Sequence, residues 1–107
     1  MGYKLIITEA AEQQLDNLVF HLIFEFRNEK AASHLLDNVQ RIYERLQENP
    51  HQFPVYDNPL LFQIEYRQAI LTEMNYTVLF RIENECVYVI GIFHQLENYE
   101  VHLIDVL

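Results

Sequence analysis

Four side chains in the C-terminal half are of types that do chemistry on an anion: Arg67, Arg81, His94 and Tyr99. A guanidinium binds two phosphate oxygens at once, so either arginine suits a phosphate clamp. An imidazole titrates near neutrality, which fits His94 to take up or release a proton. A tyrosine such as Tyr99 can stack on a base or relay a proton. Each group also has a plainer reading. The arginines can pair with Glu65 and Glu83 in exposed ion pairs of little worth. His94 can end a strand with its ring bonded to backbone, and Tyr99 can lay its ring on a sheet edge with the hydroxyl in water. The elements that hold these groups decide between the readings.

Three runs rich in Val, Ile, Tyr and Phe carry them: 66–70, 75–82 and 87–94. Short polar turns separate the runs, as in an antiparallel meander. A three-residue loop, Glu83-Asn84-Glu85, would pair Ile82 with Cys86, Phe80 with Tyr88, Val78 with Ile90 and Tyr76 with Ile92. This register keeps the apolar even positions on one face. Asn75, Thr77, Leu79 and Arg81 then share the other face with Val87, Val89, Gly91 and Phe93. Arg67 joins that face if its strand pairs in the same sense. Two arginines would thus project over one half-polar surface, with Gly91 leaving room above it.

Upstream, Tyr3-Lys4-Leu5-Ile6-Ile7 reads as a strand and Thr8 as the N-cap of a helix, with Glu9 and Glu12 in its first turn. Ala11, Leu15, Leu18, Val19, Leu22 and Phe26 form one stripe of that helix, which should run to about Arg27. Phe20 and Phe24 lie off the stripe, one turn apart. They are either buried by a second neighbour or exposed for a partner. After a turn at Asn28-Glu29-Lys30, a second helix has the stripe Ala32, Leu35, Leu36, Val39, Ile42, Tyr43 and Leu46, and ends at Asn49-Pro50. Residues 50 to 62 hold all three prolines and read as an irregular connector, with Phe53, Val55 and Tyr56 tucked against the core. The closing segment from Tyr99 onward is strand or helix. The fold class is α+β, with an N-terminal strand, an antiparallel two-helix hairpin and a three-stranded antiparallel meander against the helices.

The 107 residues suit one domain, 1–107, with a single core. Net charge is −9, and beyond residue 50 the only Lys or Arg residues are Arg67 and Arg81. That balance counts against non-specific nucleic-acid binding, which is driven by neutralising phosphates. No run approaches the roughly 18–20 apolar residues of a membrane span, and no signal pattern opens the chain, so a cytoplasmic protein is expected. The lone Cys86 cannot form an internal disulfide. His21, His34, His51 and His102 lack metal-ligand spacing, and phosphate-loop and dinucleotide motifs are absent, so no metal or cofactor is expected.

The order of these segments resembles the RelE/ParE toxin superfamily, the toxin halves of bacterial type II toxin–antitoxin modules. Lys4 to Thr8 with Ala11 and Leu15, Ala31-Ala32 with Leu46 and Asn49-Pro50, Tyr66-Arg67 with Ala69-Ile70, Asn75-Tyr76 through Arg81-Ile82, and Val87 through His94 with Asn98-Tyr99 carry the resemblance. It implies a cognate antitoxin partner, with Phe20 and Phe24 as contacts. It also implies a toxin that arrests translation by ribosome-dependent, metal-independent mRNA cleavage. There the ribose 2′-OH would attack the adjacent phosphate, Arg67 and Arg81 would hold that phosphate, and His94 and Tyr99 would assist proton transfer. Two alternatives come with the same resemblance: a ParE-like inhibitor that binds DNA gyrase without chemistry of its own, and a non-toxic member that binds only antitoxin. The chain departs from many relatives at Gln95-Leu96-Glu97, where they carry arginines, and in its acidity.

Overall fold

A computed structural model gives the structure and describes residues 2–56, 65–71 and 74–94. Strand β1 (Lys4–Ile7) leads through Thr8 into helix α1 (Glu9–Phe20). The Thr8 hydroxyl accepts from the Ala11 N–H and donates to the Val89 carbonyl at 2.8 Å. One side chain therefore caps α1 and ties it to the sheet.

Helix α1 does not run on regularly to Arg27. At His21–Glu25 it widens into a π-helical turn, with the Phe26 N–H reaching back to the His21 carbonyl at 3.0 Å. The extra residue in that turn rotates everything after it. Phe26, expected on the buried stripe, is 70% exposed for this reason. Arg27 then takes a left-handed φ of 50° and reverses the chain.

Helix α2 (Glu29–Glu48) starts directly, with the Asn28 side chain accepting from the Ala31 N–H. Ala32, Leu35, Val39, Ile42 and Leu46 are buried as expected, whereas Leu36, at the edge of the stripe, stays exposed. The helix stops before Pro50, which opens a short 3-10 turn, Pro50–Gln52.

The expected irregular connector contains a strand, β2 (Val55–Tyr56). It is followed by β3 (Tyr66–Leu71), β4 (Tyr76–Glu83) and β5 (Cys86–His94). The five strands form one sheet in the order β1-β5-β4-β3-β2, antiparallel except for β1 with β5. Phe53 is buried as expected, but Val55 is not. Pro59 and Asp57-Asn58 of the connector, Gln95-Leu96-Glu97 and the segment from Tyr99 lie outside the described residues.

Each sheet face has its own cluster. On the helix side Ala69, Val78, Phe80, Val87, Val89 and Ile92 pack with the buried stripe of α2 and with Ala11. On the other side Tyr66, Leu79, Ile90 and Phe93 are buried together.

The β4–β5 register differs from the expected one. The turn has two residues, Asn84-Glu85, with Asn84 at φ 57°, so Glu83 pairs with Cys86 and Phe80 with Val89. Asn tolerates the left-handed region, which makes the tighter turn accessible. A bulge then restores the parity: Leu79 pairs with Gly91 and Phe80 with Val89, leaving Ile90 as the extra residue. The Gln14 side chain of α1 accepts from the Ile92 N–H at 3.0 Å beside the bulge.

Candidate functional site

The register settles where the two arginines point. Directly opposed residues of an antiparallel pair project to the same face. Arg67 opposes Phe80 and therefore lies on the helix side, whereas Arg81 opposes Tyr66 and lies on the other. The expected shared surface of two cations does not exist. Its premise, that odd positions of β3 and β4 share a face, fails because Tyr66 rather than Arg67 stands across from Arg81.

Both guanidinium groups are also engaged. Arg67 donates from Nη1 to the Phe53 carbonyl at 2.7 Å and from Nη2 to Glu65 at 2.9 Å. A longer contact of 3.4 Å reaches the His51 carbonyl. Arg67 thus fastens the 3-10 turn and the start of β2 to the sheet. Its Nε is buried and has no partner among the described residues. Arg81 pairs with Glu83 and lies over the Tyr88 ring, 4.2 Å from its centroid. Across the strand, burial pushes the Tyr66 phenol up from its usual value, and the Arg81 charge partly offsets that rise. The Tyr66 hydroxyl has no hydrogen-bond partner among the described residues.

His94 stands opposite Tyr76 with the rings edge to face, 5.4 Å apart. That pairing puts it on the helix side, as is Arg67, but Arg67 sits at the level of Phe80 and His94 at that of Tyr76. Four residues of strand separate these levels, about 13 Å, with β4 between them. Proton transfer needs heavy atoms within about 3 Å or one water. Arg67, Arg81 and His94 are not brought to one phosphate, and Tyr99 lies outside the described residues.

The other pair of candidate residues is brought together. Phe20 and Phe24 are 54% and 64% exposed, with ring centroids 4.7 Å apart. Of the two readings of these rings, burial is excluded. Next to them His21 pairs with Glu25 at 2.9 Å across the π-helical turn. Glu12 and Asp16 continue the same ridge toward the N-terminus at intervals of four residues, and both are exposed. Sequence reasoning gave these two acids no role at the site, although their spacing from Phe20 was visible. Behind Glu12, the Tyr43 phenol is pushed up to about 12, mainly by burial and then by the Glu12 charge.

The described residues thus combine a five-stranded sheet, two helices and an exposed ridge on α1 that carries no Lys or Arg and ends in two neighbouring aromatic rings. Comparison with known proteins supplies the assignment. The family described as the ParE toxin of the type II toxin–antitoxin system parDE matches residues 5–99, and the chain belongs to that family. Among solved structures it is similar to a chain of the chromosomal ParDE toxin–antitoxin system from P. aeruginosa, with a TM-score of 0.69 and 17% identity over 86% of this chain and 95% of that one. No curated protein matches the chain. Membership in a toxin–antitoxin family implies an antitoxin partner. Among the described residues no helix is long and apolar enough to cross a membrane.

Proposed function

We propose that this toxin acts by surface contact, with DNA gyrase as its target, and that its antitoxin covers Phe20 and Phe24. The observation that carries the reading is the placement of Arg67 and Arg81 on opposite sheet faces, each paired with a carboxylate. A metal-free ribonuclease needs a cation and a proton carrier converging on one phosphate, and His94 is four residues of strand from Arg67. A net charge of −9 works in the same direction, since approach to ribosomal RNA would be repelled. Contact with a protein target has neither requirement.

Controlled expression in a bacterial host tests this. Growth arrest with DNA-damage signalling and intact mRNA is the expected result. Codon-positioned mRNA cuts with early loss of protein synthesis would refute it. Unimpaired growth would refute it as well and leave a protein that only binds antitoxin.

A further inference from the structure

We infer that the exposed ridge of α1 is a docking face for a cationic amphipathic helix, which makes the antitoxin segment at this site basic. The inference rests on the antitoxin reading above and adds the chemistry of the partner. Glu12, Asp16, Phe20 and Phe24 follow one another every four residues and all four are exposed. Rows of residues four apart are the ridges by which helices pack into one another. The ridge has two halves: two carboxylates, then two neighbouring rings tilted 39° to each other.

Charge selects the occupant. From Glu9 to Phe26 the chain has Glu9, Glu12, Asp16 and Glu25 but no Lys or Arg. Glu9, Glu12 and Asp16 form no ion pair with any described residue. An acidic or neutral helix would leave this field uncompensated, whereas Lys or Arg would meet it.

Geometry fixes the spacing. Phe20 and Asp16 are one step of the ridge apart, about 6 Å at 1.5 Å per residue, and Glu12 lies as far again. A partner helix that places aliphatic side chains over Phe20 and Phe24 therefore needs its basic residues one and two turns further along. The π-helical turn at His21–Glu25 ends the ridge by swinging the residues beyond Phe24 to a new direction.

The test uses the full chain and two labelled synthetic peptides, read by fluorescence anisotropy. Both are amphipathic helices with the same leucine face; one carries Lys and the other Glu at the positions one and two turns beyond the leucines. The Lys peptide is expected to bind at least tenfold more tightly, with affinity falling as salt rises. Phe20→Ser with Phe24→Ser should weaken it tenfold or more, and Glu12→Lys with Asp16→Lys should reverse the preference. These residues are exposed, so circular dichroism should show each variant folded. Equal binding of the two peptides overturns the inference. So does Lys-peptide binding that ignores the Phe substitutions, since that is attraction to net charge alone. Growth arrest does not enter this assay, so its outcome is independent of whether the toxin reading holds.

Discussion

Replacing Arg67 with Met separates a structural arginine from a ligand-binding one. The Met side chain keeps the apolar stem but removes the guanidinium, whose Nη1 donates to the Phe53 carbonyl at 2.7 Å. A hydrogen bond to a charged group contributes about 1.5–3 kcal/mol. The Arg67 side chain is only 17% exposed, so the lost bond is not simply replaced by water, while its Glu65 partner is 62% exposed and that ion pair adds about 0–1 kcal/mol. Removing the buried, unpartnered Nε returns part of the loss. The net cost is about 2 kcal/mol, which in a chain of this size lowers Tm by roughly 10 °C. Urea unfolding followed by circular dichroism measures it, with Glu65→Gln as the control expected to change stability by less than about 1 kcal/mol. Growth arrest should persist at temperatures where the variant is folded. A variant as stable as the parent that no longer arrests growth would refute the reasoning, because Arg67 would then be a ligand group.

Three further outcomes follow from the packing. In Gly91→Ala the new Cβ would lie 2.4 Å from Cε2 of the buried Phe93 and 2.7 Å from the Gln14 Oε1, so the urea midpoint should fall by the equivalent of about 1–3 kcal/mol. Gly91 has no left-handed φ, so this cost is steric; an unchanged midpoint would show that the Phe93 ring yields. Thr8→Val removes both the cap on Ala11 and the bond to Val89, and should cost about 1–2 kcal/mol in the same assay. For Tyr43 the folded value lies above the unfolded 10, so the stabilisation is present below pH 10 and is lost as pH rises toward about 12. Ultraviolet titration should show Tyr43 among the late phenols, with Tyr66, and Glu12→Gln should move the Tyr43 transition lower.

Local rules made most elements legible and long-range register hid the rest. The Thr8 cap, the stripe of α2 and the stop at Pro50 are set by neighbouring residues, and all are in place apart from Leu36, which stays exposed. The sheet register depends on two features that offset each other, the two-residue turn at Asn84-Glu85 and the bulge at Ile90, and hydrophobic alternation reveals neither. Arg67 and Arg81 stand on two faces for a separate reason, the β3–β4 register, in which Tyr66 rather than Arg67 opposes Arg81. The π-helical turn left no mark in the apolar pattern, and it carried Phe26 out to solvent. Phe20 and Phe24 were legible because they broke the stripe, although only the structure shows them uncovered.

The most direct test of action by contact is to add the purified protein to DNA gyrase in a supercoiling assay and, in parallel, to a translating ribosome preparation. The account predicts inhibited supercoiling, retained by Arg67→Met below its melting temperature, with full-length mRNA on the ribosomes. Unimpaired gyrase together with cuts at codon positions in the mRNA would contradict it.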